Sequence, residues 1–395
     1  MKKYRLAILN THPIQYFTPL YSHLAKETDI DLTVYFCSKQ GAESYVDSGF
    51  KKEVKWDVPL LEGYRYKFLH NLRKKGTIGS FFSLINPGII GELKNGHYDA
   101  LLVHGQTPAT VIIAILAAKI FGTKVFMRGE THLLLSRQPI KRWLRPLVMK
   151  LFYKICDAFL AIGTLNQEFY LAHGVSPEKI YLVPYAVDNK YFFSKVEKNK
   201  QQIFACKSKF NLLTETFVIL YAGKLQPRKR PLDLLFAYEK LRARGINSQL
   251  VYVGSGEQED LLRQTVITHN IPNVSFFGFR NQSELPEFFA VADVFVLPSV
   301  DEPWGLIINE AMCASLPIVA SEEIGAVRDL LLNGKNGYTF PSGDIDKLTE
   351  ALALVIQSPS KRRSMAEASR HIISNWGYEE CVIGIRQALE SFEKA

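Results

Sequence analysis

Short apolar runs bounded by turn residues alternate along the chain with longer stretches whose apolar positions recur at helical spacing. In the first half the runs fall at 5–10, 32–37, 100–104, 124–128, 158–162 and 180–184. Helical patterns cover 16–26, 107–121, about 139–155 and 164–173. Residues 40–98 are less regular, rich in Lys and aromatic residues, and predict a pair of short strands with a loop. The pattern restarts after Asp188. Strands are expected at 217–222, 250–253, 274–277, 294–297 and 318–320, with helices at 231–244, 258–269 and 306–314. Helices follow Phe340, the last an amphipathic stretch at 378–392. Near-continuous apolar strands alternating with helices imply parallel sheets covered on both faces. The chain is therefore α/β, with two doubly wound units divided near 186–198.

Sheets of this kind bind ligands beyond the carboxyl ends of their strands, and two such loops carry most of the chemistry. The first is Asp301-Glu302-Pro303-Trp304-Gly305, between an apolar strand and the helical stretch that starts at Leu306. A helix start at Gly305 and Leu306 leaves backbone N–H groups unpaired at the positive end of the helix dipole, which suits phosphate. Glu302 precedes this start and Glu310 lies more than a turn inside. A carboxylate there accepts two hydrogen bonds from a vicinal diol such as a ribose. Two glutamates alone read more simply as a loop charge and a solvated helix position. The apolar Leu306, Ile307, Ile308 and Met312 argue instead for a largely buried helix, in which Glu310 needs a partner.

The second loop, Gly223-Lys224-Leu225-Gln226-Pro227-Arg228-Lys229-Arg230-Pro231, sets four cations before a helix that Pro231 opens. Cations at a helix N-terminus oppose its dipole, so an anion is expected with them. Lys224 and Lys229 are the pair aimed at a diphosphate. Arg280 in Phe277-Gly278-Phe279-Arg280 could flank a nucleobase, or only pack. Gly325 in Glu322-Glu323-Ile324-Gly325 lets backbone N–H groups approach a sugar or phosphate, unless the segment is a plain turn. In the first unit, His12, Gln15, His104, Gln106, Arg128, Glu130 and His132 gather at strand ends.

A chain of 395 residues exceeds one ordinary core, and its 47% apolar and 22% charged residues are those of a globular protein. The net charge of +9 favours an anionic partner. The five cysteines, Cys37, Cys156, Cys206, Cys313 and Cys381, are scattered without a CxxC pair, arguing for a reducing compartment and against zinc. No apolar run reads as a signal peptide or membrane span, so a cytoplasmic location is expected. Lys141, Arg142, Arg145, Lys150 and Lys154, interleaved with Trp143, Leu147, Leu151 and Phe152, could dock an anionic membrane, with Arg73-Lys74-Lys75 alongside. A solvated helix packed on its own domain explains them equally well.

Taken together, these residues resemble the family-4 retaining glycosyltransferases of GT-B fold. Glu302 to Glu310 matches the E-x7-E motif. Gly223-Lys224-Leu225 with Lys229 resembles the G-R-L…K motif, with Lys224 for Arg. Val183-Pro184-Tyr185-Ala186-Val187-Asp188 resembles the linker into the C-terminal domain.

The resemblance implies two doubly wound Rossmann-like domains facing a central cleft. An acceptor domain would span 1–187 and a nucleotide-sugar domain 188–375, with a helix at 376–395 crossing back to the first. It implies a nucleotide-sugar donor, UDP-linked as one candidate, and a glycan or lipid-linked acceptor in cell-surface polysaccharide biosynthesis. A peripheral site at the inner face of the plasma membrane would fit such work. No nucleic acid, metal or separate cofactor is expected. Gly223, Lys224, Lys229, Gly305, Leu306, Arg280, Gly325 and Glu310 would hold the donor. Glu302, Arg128 and His104 would act at the reacting sugar. Two departures stand out: His12-Pro13-Ile14-Gln15 replaces a Gly-Gly loop, and Arg128-Gly129 replaces a His-Gly pair. The competing reading is a GT-B nucleotide-sugar 2-epimerase, which would act without an acceptor; a non-catalytic basic module is a third.

Overall fold

The structure, a computed structural model, describes residues 2–47, 49–73, 78–135 and 145–393, with the backbone alone at 145–148. It divides into two compact units. One comprises Met1–Tyr45, Val58–Tyr185 and Tyr378–Ala395; the other comprises Val46–Asp57 and Ala186–Gly377.

The first unit holds a seven-stranded sheet. Its order from edge to edge is Arg65–Phe68, Ile30–Phe36, Tyr4–Asn10, Ala100–His104, Lys124–Arg128, Ala158–Ala161 and Ile180–Leu182. Every pairing is parallel. The second unit repeats the plan with six strands: Val274–Phe276, Ser248–Val253, Phe217–Ala222, Val294–Leu297, Ile318–Ser321 and Gly337–Phe340. These too are parallel throughout. Central strands such as Ala100–His104 and Ser248–Val253 are buried at every position, because helices cover both faces.

The described residues of the irregular stretch 40–98 form several short elements. Arg65–Phe68 joins the edge of the first sheet, helix Ile89–Gly96 covers it, and Tyr45–Asp47 pairs with Lys52–Val54 as a separate two-stranded hairpin. Arg65–Phe68 is mostly exposed and carries no apolar run, which is why its pattern is faint. The helices Asn189–Lys200 and Ile203–Lys209 lie where the pattern predicts none. The first is crowded with lysines and the second is only seven residues long; the first is opened by Asp188, whose carboxylate accepts from the Tyr191 amide. Of the basic stretch after 139, helix Arg145–Lys154 is described. Lys141, Arg142, Trp143, Lys74 and Lys75 lie outside the described residues.

The last helix, Tyr378–Glu390, packs within the first unit. Gly384 permits this: a Cβ there would lie 2.0 Å from the Leu182 carbonyl oxygen. Arg386 holds Asp29 and Glu27 at 2.8 and 2.7 Å.

Candidate functional site

In the second sheet the strand order reverses between Phe217–Ala222 and Val294–Leu297. The chain leaves these two strands in opposite directions, which opens a crevice at their carboxyl ends. The two loops that border it are 223–230 and 298–305, the ones that carry the charged motifs.

The first loop is held by backbone contacts. The Gly223 amide donates to Val253 O at 2.9 Å and the Leu225 amide to Ser255 O at 3.0 Å. Only glycine fits opposite, since a Cβ on Gly254 would sit 1.9 Å from Gly223 O. The Tyr221 hydroxyl donates to Lys224 O at 2.8 Å. Lys224 therefore leaves a fixed base, and its Nζ donates to Asp47 Oδ1 at 2.8 Å and Oδ2 at 3.1 Å. Pro227–Lys229 forms a single tight turn before helix Pro231–Ala243.

The second loop is tied to the first by the Val300 amide, which donates to Arg228 O at 2.8 Å. Lys229 forms a direct ion pair with Glu302, and Arg228 Nη1 stands 3.8 Å from the same carboxylate. Burial pushes the Lys229 pKa down; the Glu302 charge opposes that shift, and Arg228 adds to it. Trp304 anchors the loop. It is buried, stacks on Trp376 at 5.7 Å, and donates its indole N–H to Asn309 Oδ1 at 3.0 Å. Gly305 then turns the chain at φ 89° into helix Leu306–Cys313.

That helix has a cationic far end. Lys200 Nζ donates to Ala314 O at 2.8 Å and Arg370 Nη1 to Cys313 O at 3.2 Å. Cations there complement the dipole and leave its positive end facing the crevice. Glu310, one helix face on, is fully buried.

The structure thus gathers Gly223, Lys224, Lys229, Glu302, Gly305 and Leu306 around one crevice. Gly325 adjoins it in another role: its amide donates to Glu302 O at 3.1 Å, and a Cβ would lie 1.9 Å from Pro303 O. It packs the Glu302 loop and does not offer an N–H to a ligand. Arg280 bonds locally, to Phe277 O at 3.2 Å and Glu284 Oε1 at 3.0 Å. Both of its polar contacts lie within four residues, so flanking a base would require breaking them.

The first sheet reverses order between Tyr4–Asn10 and Ala100–His104. Arg128, on the next strand, is 3% exposed. Its Nη1 donates to Val183 O at 2.8 Å and its Nη2 to Pro184 O at 3.1 Å. The guanidinium holds the end of the last strand through these two bonds. His104 lies against Phe17 at 4.4 Å with its Nε2 3.0 Å from the Tyr21 hydroxyl, which accepts from Asn10 Nδ2 at 2.9 Å. Burial, with help from the Arg128 charge, holds His104 well below its ordinary pKa, so its ring is neutral. The Tyr185 hydroxyl donates to Glu130 Oε1 at 2.8 Å.

Sequence reasoning missed Asp47. Residues 40–98 read only as a pair of short strands with a loop, and nothing local points to a lysine 177 positions away. Ser299, at the end of Val294–Leu297, was missed as well; its hydroxyl is buried and has no hydrogen-bond partner among the described residues. No group of His, Cys, Asp and Glu among the described residues is placed to hold a metal ion.

The architecture is that of the GT-B class, two Rossmann-like domains in one chain, and solved structures with the same fold are readily found. One is Alr3699/HepE of Anabaena in complex with UDP, with TM-score 0.72 and 19% identity, covering 98% of this chain and 100% of that one. Residues 203–372 match the family model described as glycosyl transferases group 1. This corrects the family-4 resemblance: the matched family is group 1. Among curated proteins, the chain is 22% identical over 311 residues to the sulfoquinovosyl transferase SQD2 of Arabidopsis thaliana. That match covers 76% of this chain and 58% of the relative. It is 24% identical over 349 residues to the capsular polysaccharide biosynthesis glycosyltransferase CapM of Staphylococcus aureus, covering 87% and 88%. The chain spans somewhat more than half the length of the first curated relatives it matches.

Proposed function

We propose that this protein is a nucleotide-sugar-dependent glycosyltransferase acting on a glycan or lipid-linked acceptor. The observation that carries the reading is the crevice of the second sheet. Arg228 and Lys229 meet Glu302 on the loop that leads into helix Leu306–Cys313, Lys224 lies on the same cationic loop, and Glu310 is buried within the helix. Departure of a nucleoside diphosphate develops negative charge on its terminal phosphate. Preorganised cations and a helix N-terminus stabilise that charge more in the transition state than in the ground state. Glu310 would accept hydrogen bonds from the ribose diol, and Glu302, held by Lys229, would border the sugar.

The matched family and the names of the relatives support the reaction class. The UDP complex of the Anabaena protein supports a uridine donor, and CapM a role in surface polysaccharide synthesis. Among the described residues no helix is long and apolar enough to cross a membrane. Exposed Leu116, Ile120 and Leu151, with exposed Lys150 and Lys154, support peripheral attachment of the first unit to an anionic surface. Flotation with anionic vesicles should then carry the protein upward, and recovery in the soluble fraction would refute attachment.

The main test is a panel of nucleotide sugars, screened by thermal shift and then incubated with glycan and polyprenyl-linked acceptors. Transfer to an acceptor is expected. An epimerised nucleotide sugar formed without acceptor, or no donor binding at all, would overturn the reading.

A further inference from the structure

The hairpin of Tyr45–Asp47 and Lys52–Val54 lies across the carboxyl-end loops of the second sheet, although it comes from early in the chain. Its turn is built around the Asp47 carboxylate. Oδ1 accepts from the Gly49 amide at 2.8 Å and the Phe50 amide at 2.9 Å. The same carboxylate accepts from Lys224 Nζ. Burial alone would raise the Asp47 pKa, but the Lys224 bond and the two amides outweigh it and hold the group below its ordinary value. Asp47 is therefore charged and locked to the turn, and it leaves Lys224 only if the turn leaves.

The rest of the tip covers neighbouring groups. Lys224 Nζ lies 4.8 Å from the centre of the Phe50 ring, and that ring meets Phe279 edge-on at 4.8 Å. The Ser255 hydroxyl donates to Phe50 O at 3.1 Å. A Cβ on Gly49 would sit 2.6 Å from Lys224 Cδ, so the tip touches the lysine along its stem. Farther along, Asn281 Nδ2 donates to Lys55 O at 2.7 Å and anchors the base of the strap.

Charge sharpens the point. The cations of the 223–230 loop are matched by the protein's own carboxylates: Asp47 on Lys224, Glu302 on Lys229 and Arg228, and Asp233 on Arg230. Glu302 and Asp233 belong to the segments that build the crevice. Asp47 belongs to a separate hairpin.

We infer that this hairpin is a built-in competitor, in which the Asp47 carboxylate stands where the incoming phosphate of a nucleoside diphosphate must bind Lys224. The inference deepens the donor-site reading and rests on it for the identity of the anion. Binding then exchanges one anion for another on Lys224, and the strap Val46–Asp57 must swing off the crevice. A strap of this kind sets donor affinity and keeps the lysine from capturing unrelated phosphates.

Calorimetry with inorganic pyrophosphate and with UDP, GDP and ADP tests it on the full chain. Asp47→Asn keeps the turn's shape and removes the competing charge. It should tighten pyrophosphate and the preferred nucleoside diphosphate about fivefold, the worth of a partly buried ion pair. Gly49→Ala, which crowds Lys224 from the other side, should act in the same direction. Hydrogen exchange should show the amides of 50–54 losing protection when pyrophosphate binds to the wild type. Equal or weaker binding by both variants, or unchanged protection, would overturn the strap. Tightening of pyrophosphate with no binding of any nucleoside diphosphate would uphold the strap and overturn the donor reading. No pyrophosphate binding by any variant would overturn both.

Discussion

The two sheets reverse strand order in the same way, yet their reversal points are chemically opposite. At the second, Lys224, Lys229 and Arg228 are paired with carboxylates across a crevice edged by a glycine turn and a helix start. At the first, His104 is neutral between Tyr21 and Phe17, and both terminal nitrogens of the Arg128 guanidinium donate to backbone carbonyls. Polar residues at strand ends are therefore not sufficient for a binding site. What matters is whether their hydrogen-bonding capacity is committed to the backbone or balanced by groups that an anion can replace.

The comparison is broken most directly by the lysines. Lys224→Ala and Lys229→Ala should each lower turnover by roughly 10²–10³-fold, and the double variant should lose less than the product, if both act on one leaving group as proposed. Steady-state kinetics with the donor found by screening measures this, and full activity in either single variant would remove that lysine from the role. Lys229→Ala should also lower stability, since it removes the direct ion pair of a buried Glu302 and leaves it the more distant Arg228.

Arg128→Ala tests the opposite side. Losing two charge-assisted bonds and a buried side chain should destabilise the protein by about 3 kcal/mol. The fraction that remains folded should keep its donor affinity. A variant that folds normally but does not turn over would restore Arg128 to the chemistry.

Glu310→Gln should weaken the donor by about 1.5–3 kcal/mol with the fold intact, read by calorimetry. Unchanged affinity would detach this carboxylate from the ribose.

The smallest effect is on pH dependence. Burial lowers His12 from 6.5 to about 4 and holds His104 well below its ordinary value. The unfolded chain binds more protons than the folded one below about pH 6.5. The contribution of His12 is thus present above that pH and lost as pH falls from about 6.5 to about 4. His12→Asn should flatten the melting curve against pH in this window by roughly 2–4 °C. An identical pH profile would show that His12 is not buried as a neutral ring.

The alternation of apolar strands and helices was legible because a two-sided parallel sheet writes unbroken apolar runs into the sequence. The runs at Phe217–Ala222 and Val294–Leu297 by themselves place the loops that follow them at carboxyl ends. Lys224, Lys229 and Glu302 stood out in the sequence because cations and a carboxylate beside Gly223 and Gly305 sit at strand ends, and the structure brings Lys229 and Glu302 together. What only the tertiary structure decided is how each polar group is used. Whether Arg128 faces a ligand or the Val183 carbonyl depends on where a strand 55 positions later comes to lie. Whether Lys224 is open or covered depends on a hairpin 177 positions earlier. Local pattern records burial and turns, which nearby residues determine; hydrogen-bond partners are chosen by packing between segments far apart in the chain, and no local pattern records that.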